Sequence, residues 1–200
     1  MVRVALTFDD GPGPATRALL DVLAAHDVRV TFFCLGRNLE RLRDVAVDAA
    51  RAGHLLGNHT YSHARPDAIG AAELTRELAR TDELLRDVYA AAGVAAPAAI
   101  PVRLPYGVVG DDARLPMLAA LGRAHTSWTA DFADWLDPDP TTLCARMQAH
   151  IAAQAAGRRD AVLDLHDASR LLADRSATVA AVAQLLADGA APSRTFFIAR

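Results

Sequence analysis

Val2-Arg3-Val4-Ala5-Leu6-Thr7-Phe8-Asp9-Asp10-Gly11-Pro12-Gly13-Pro14 begins as a β-branched, apolar run, turns abruptly polar at two aspartates, breaks at Gly and Pro, and restarts on a proline suited to a first helical turn. It reads as a strand feeding a helix through a short loop. The same unit recurs along the chain. Short apolar runs at 2–8, 28–34, 54–58, 98–102, 123–129, 160–165 and 195–199 read as strands, and six amphipathic segments separate them. The clearest helix covers 71–92, with Leu74, Leu78, Leu85 and Val88 at helical spacing and Gly93 as its stop; Gly157 closes another. Strict strand-helix alternation implies an α/β fold with a mainly parallel sheet and right-handed crossovers. Stretches 64–70 and 136–140 read as surface connections. No internal repeat, low-complexity tract or linker interrupts the alternation.

A chain of 200 residues, 52% hydrophobic and 22% charged with a formal charge of −3, can bury one core, so a single domain over 1–200 is expected. Nothing in that balance calls for nucleic acid or an anionic membrane as partner. The opening run turns polar too soon for a signal peptide, and no apolar stretch reaches membrane-spanning length; the expectation is a cytoplasmic enzyme without membrane insertion. Cys34 and Cys144 read as two reduced, small apolar side chains.

In parallel α/β folds, sites gather at the C-terminal ends of strands, where loops converge. Five polar clusters fall there. The first strand ends in Asp9-Asp10-Gly11-Pro12, which alone is good turn chemistry; a phosphotransfer reading of the Asp pair is weak, and no phosphate loop follows. The third runs into His59-Thr60-Tyr61-Ser62-His63, two histidines four apart that would share one face of a helical turn and reach one metal ion. Seven histidines in the chain make such a spacing common by chance, but a carboxylate at another strand end completes a His/His/carboxylate set. Arg103-Leu104-Pro105-Tyr106-Gly107, Asp131-Phe132-Ala133-Asp134-Trp135 and Leu163-Asp164-Leu165-His166-Asp167 supply the rest. An arginine can orient a carboxylate, and a histidine backed by a carboxylate can hold a proton near neutral pH.

These five segments, in this order, resemble the polysaccharide deacetylase family, the NodB-homology or carbohydrate esterase family 4 domain. Thr7-Phe8-Asp9-Asp10-Gly11-Pro12 matches its first motif residue for residue, and His59-Thr60-Tyr61-Ser62-His63 fits its His-Ser/Thr-x-x-His. Arg103-Leu104-Pro105-Tyr106, Asp131-x-x-Asp134-Trp135 and Leu163-x-Leu165-His166 resemble the remaining three. The resemblance implies an incomplete, deformed parallel (β/α) barrel of about seven strands. It implies one divalent ion, zinc first with cobalt, nickel or manganese as alternatives, on Asp10, His59 and His63. Asp9 would be the general base oriented by Arg103, and His166 the general acid tuned by Asp134. The Tyr106 backbone N–H would be the oxyanion donor, Trp135 and Leu165 would line the pocket for the acetyl methyl, and Asp131 would have a supporting role. Two places depart from the family pattern: Asp164 stands where an apolar residue is more common, and Leu55-Leu56 where Glu-Ile is.

The implied activity is removal of acetyl groups from N-acetylated sugars. O-deacetylation by the same machinery is the alternative, and a catalytically silent sugar- or metal-binding module is the reading from a different class. The implied partner is the acetylated sugar; oligomeric state is left open.

Overall fold

The computed structural model describes residues 2–136, 139–187 and 194–196. Its strands are β1 (Val2–Asp9), β2 (Thr31–Cys34), β3 (Leu55–Asn58), β4 (Ala130–Asp131), β5 (Ala161–His166) and β6 (Arg194–Phe196). The helices are α1 (Thr16–Ala25), α2 (Gly36–Arg41), α3 (Arg43–Arg51), α4 (Ala71–Ala92), α5 (Arg114–Ala120), α6 (Pro140–Ala156) and α7 (Ser176–Ala187). Every strand pairing is parallel, in the order β3-β2-β1-β5-β4, with β6 alongside the start of β1. Residues 137, 138 and 197–199, which belong to the expected connection at 136–140 and the expected last strand, lie outside the described residues.

The sheet bends back on itself through two single bridges, Asn58 to Val102 and Val102 to His125. The chain then moves from Val102 to β5 within a few residues: the Thr126 N–H donates to Val102 O, and the Thr129 N–H to Val162 O. This closes the ring as a deformed parallel barrel. The expected strand at 98–102 shrinks to a single bridge residue, Val102, because Pro101 has no N–H to give a ladder; toward β3 only its carbonyl, accepting from Asn58 N at 2.8 Å, and the Arg103 N–H take part. The expected strand at 123–129 is likewise a bridge, followed by the two-residue β4. The segment between β2 and β3 is two helices rather than one, broken at Leu42 (φ −129°, ψ 43°).

Helix α4 has the bounds its periodicity predicts and ends on Gly93 in the left-handed conformation. The main core lies between sheet and helices, with Phe8, Leu19, Phe32, Leu85, Met147, Leu163 and Val182 buried. A smaller cluster of Leu74, Leu78, Val102, Leu104 and Leu118 sits under the irregular side. Cys34 and Cys144 are both buried, and neither is in a disulfide. Among the described residues no helix is long and apolar enough to cross a membrane.

Candidate active site at the strand ends

A cavity of about 450 Å³ opens at the C-terminal edge of the sheet, lined among others by Asp9, Asp10, His59, His63, Tyr106 and His166. Asp9 is the last residue of β1; Asp10 follows in the left-handed region (φ 70°), so the two adjacent carboxylates diverge. Asn38 Nδ2 fixes that turn by donating to the Asp10 carbonyl at 2.7 Å. Gly11 is required next: a Cβ there would meet the Asp167 carboxylate at 2.4 Å, so the loop can lie against the end of β5 only without a side chain.

Residues 59–63 form no helical turn, contrary to the expected one-face arrangement. Thr60 (φ 65°) and His63 (φ 60°) are left-handed, and the loop curls so that both imidazoles still converge. Its backbone is held by groups that sequence reading missed. Asn58 Oδ1 accepts from Thr60 N at 2.8 Å, and Glu77 Oε2 accepts from the N–H groups of Tyr61 and Ser62 at 3.2 Å each. A readable signal existed: Glu77, Thr81 and Asp82 interrupt the apolar stripe of α4, and all three are buried.

Asp10, His59 and His63 bring ligand atoms within 4.8 Å of one another. Asp10 Oδ1 lies 3.6 Å from His59 Nε2 and 3.3 Å from His63 Nε2. His59 Nδ1 sits 2.9 Å from the Arg103 carbonyl, which places the proton on Nδ1 and leaves Nε2 with its lone pair toward Asp10. Burial lowers His59 well below the usual imidazole range and lowers His63 to about 3, so both rings are neutral; burial likewise pushes Asp10 up to about 7. Asp10 Oδ1 is buried without a hydrogen-bond partner, facing two neutral imidazole nitrogens. Such an acceptor-only set is stable around a cation, and the residues fit a divalent metal.

Arg103 is fully buried. Its Nη1 donates to Asp9 Oδ1 at 2.9 Å, Asp164 Oδ1 at 2.8 Å and Thr7 Oγ1 at 2.7 Å, while Nε donates to Thr126 O at 3.1 Å. One guanidinium thus fixes two carboxylates. Across the cavity His166 Nδ1 meets Asp134 Oδ1 at 2.8 Å, and Asp134 also accepts from the His166 N–H and from Thr178 Oγ1. Burial disfavours the imidazolium, but the Asp134 hydrogen bond and the charges of Asp134, Asp164 and Asp9 outweigh it and raise His166 to about 10. Those same contacts with His166 hold Asp134 below the usual carboxylate range despite its burial.

Tyr106 is left-handed (φ 63°), with its ring 4.6 Å from His63 and its backbone N–H unpaired within the described residues. Arg114, another residue the sequence did not single out, clamps this turn by donating to the carbonyls of Pro105 (2.8 Å) and Gly107 (2.6 Å).

A match over residues 2–123 to the polysaccharide deacetylase family model now joins this geometry. The chain belongs to the polysaccharide deacetylase family. It is 31% identical over 191 residues to a chitooligosaccharide deacetylase from Sinorhizobium fredii, covering 92% of this chain and 83% of that one. It is 36% identical over 134 residues to a peptidoglycan-N-acetylglucosamine deacetylase from Bacillus cereus, covering 66% of this chain but only 46% of that protein. Among solved structures, a polysaccharide deacetylase from Bacillus cereus superposes with a TM-score of 0.77 at 26% identity, over 100% of this chain and 93% of that one. A family 4 carbohydrate esterase from Streptomyces lividans in complex with acetate gives 0.68 at 28% identity, over 93% and 88%.

Within this deacetylase fold, the cavity also gathers Trp128, Asp131, Trp135 and Asp164. Trp135 stands edge-on to His166, ring centres 4.7 Å apart. Leu165 is not in the cavity. It is fully buried in the main core, because side chains alternate along β5 and His166 takes the cavity face; Asp164 is the residue that shares it.

Proposed function

We propose that residues 1–200 act as one catalytic domain, a metal-dependent hydrolase that removes acetyl groups from N-acetylated, glucosamine-containing sugars. The observation that carries this reading is the orphaned Asp10 Oδ1 facing His59 and His63 beside an arginine-held Asp9, with His166 on Asp134 across the same cavity. The relatives' names, chitooligosaccharide and peptidoglycan-N-acetylglucosamine deacetylase, support the substrate class.

Two imidazoles and one carboxylate suit zinc, with cobalt, nickel or manganese as alternatives, and such an ion supplies Lewis acidity at the acetyl carbonyl and a more acidic water. The protein's own groups do the rest. Asp9, with Oδ1 fixed by Arg103, takes a proton from the attacking water. The unpaired Tyr106 N–H donates to the oxygen that gains charge, a role typically worth about 2.7–4 kcal/mol. His166 is protonated at neutral pH; with Nδ1 committed to Asp134, it gives the Nε2 proton to the departing nitrogen. Trp135 covers the acyl side, and Asp131 stands at the cavity wall as a supporting residue. A protonated imidazole placed at the leaving group matters more for amide than for ester substrates, because an amine is the poorer leaving group.

The test is acetate release by protein loaded with each metal, over chitooligosaccharides, peptidoglycan fragments, acetylxylan and N-acetylated small glycosides. Release from the amides, abolished by a chelator, is expected. Release from acetylxylan alone would turn the reading to O-deacetylation, and none from any substrate would leave a silent binding module.

A further inference from the structure

Asp164 lies on β5 with its side chain on the cavity face. In register, His166 lies beside Asp9, while Asp164 lies beside Thr7 on one edge and Asp131 on the other. Asp164 therefore stands one pleat, roughly 6–7 Å, deeper in the barrel than the layer that holds Asp9 and His166. Its Oδ1 accepts from Arg103. Its Oδ2 has no hydrogen bond and is not among the fully buried oxygens, so it opens on the cavity. Thr7 Oγ1 donates to Leu163 O and accepts from Arg103, and Asp131 Oδ1 accepts from Ala133 N, whereas Arg103 Nη2 is buried without a partner.

On the reading given under Proposed function, the reacting carbonyl lies between Asp9 and His166. The sugar stays at the mouth, where Tyr106 is exposed, so the acyl substituent runs inward past Trp135 toward Asp164. A bare methyl there would strip water from Oδ2 and offer it no hydrogen-bond partner, the costly way to bury a polar atom. A hydroxyl on the acyl carbon would supply one.

We propose that Asp164 selects the acyl group, and that this chain hydrolyses sugar amides whose acyl group carries a hydroxyl, hydroxyacetyl being the smallest, in preference to acetyl. The chemistry is plain hydrolysis. Water adds to the carbonyl carbon, the C–N bond breaks, the amine leaves with a proton from His166, and hydroxyacetate is released; no oxidant or reductant is needed.

The experiment compares chitotetraose carrying N-acetyl with chitotetraose carrying N-hydroxyacetyl groups, using zinc-loaded protein and free amine as the readout. The wild type should favour hydroxyacetyl in kcat/KM by about ten-fold or more, since a site built to accept a hydroxyl discriminates against the analogue that lacks it. Asp164→Leu should reverse the ratio, and reading the ratio cancels any common loss from leaving Arg103 one partner short. Asp164→Asn keeps the size with an amide in place of the carboxyl and should shrink the ratio without reversing it, which decides the matter if the leucine variant fails to fold. A wild type that prefers acetyl, or a ratio unchanged in the variants, overturns the proposal and leaves the deacetylase reading standing. Cleavage of neither substrate overturns both.

Discussion

The two sides of the barrel hold their functional groups by different means. On one side β1 and β5 pair continuously from Val4–Ala161 to Asp9–His166, and the ladder delivers Asp9 and His166 side by side in register. On the other, Val102 keeps single bridges to Asn58 and His125, and the groups come from loops. Those loops are fixed by buried polar side chains instead: Arg103 on Asp9, Arg114 on the Tyr106 turn, Glu77 on the histidine loop. Regular pairing sets direction through the pleat. Irregular backbone has to be set one hydrogen bond at a time, so single polar side chains there carry what a ladder carries opposite.

The largest effects should come from splitting the aspartate pair at the end of the regular side. Asp9→Asn should cut kcat on the order of 10³-fold while metal content, read by elemental analysis, stays near one ion per chain. Asp10→Asn should lose both. Near-normal turnover in the Asp9 variant would remove the base assignment and, with it, the idea that the left-handed bend at Asp10 separates two roles.

Next in size, His166→Ala should slow amide hydrolysis by about 10²-fold or more while leaving activated aryl acetates much less affected, because a good leaving group needs no proton. Equal losses on both substrates would make the β5 end structural rather than chemical. Arg103→Leu sharpens the contrast between the sides directly. Removing a fully buried cation strands Asp9 and Asp164, and the expected loss in urea unfolding is about 3–5 kcal/mol. That would equal the ~2–5 kcal/mol expected for Leu6→Ala, a core deletion on β1. A neutral Arg103→Leu would mean that the irregular side is not held together by its polar groups.

The smallest effect concerns pH and lies just before β3. His54 is buried edge-on to Phe32, and its Nδ1 accepts from the Val30 N–H at 3.2 Å, so it is neutral in the folded protein. Burial first, and the charge of Arg29 second, lower it to about 4. The unfolded chain takes up this proton near pH 6.5, before the folded one does, so stability falls as pH drops from about 6.5 to about 4 and levels off below. The contribution is at most about 3 kcal/mol. His54→Gln should flatten the acid slope in that window by up to this amount, whatever it does at pH 7; an unchanged slope would show that His54 is not buried neutral.

How much of this could be read from the chain follows the same divide. Apolar, β-branched runs closed by Asp-Asp-Gly-Pro or by a His-Asp pair marked β1 and β5, because a ladder needs only local pattern and length. The run at 98–102 looked equally strand-like, but Pro101 removes a donor and the barrel is continued there by one residue, Val102, bridged on both sides. Leu165 was assigned to the cavity by motif position, while alternation along β5 sends it into the core and turns Asp164 inward. The i, i+4 histidines converge without a helix because tertiary hydrogen bonds, from Asn58 and Glu77, bend the loop. Arg114 carried no motif. Its role depends on Asp112 and on carbonyls of the Tyr106 turn that come together only when the chain folds.

The left-handed residues have a practical bearing on anyone who would make this protein tougher. Asp10, His63 and Tyr106 each hold a backbone conformation that costs a non-glycine residue on the order of 1–3 kcal/mol, together a sizeable share of an ordinary domain's 5–15 kcal/mol. A screen for heat resistance would be drawn to those positions, and glycine there would relax the backbone while removing the Asp10 and His63 side chains from the ligand cluster and the Tyr106 ring from its packing on His63. Asp27, Arg158 and Leu172 share the conformation but do not line the cavity. Glycine or asparagine at those three is where engineered robustness and activity need not compete.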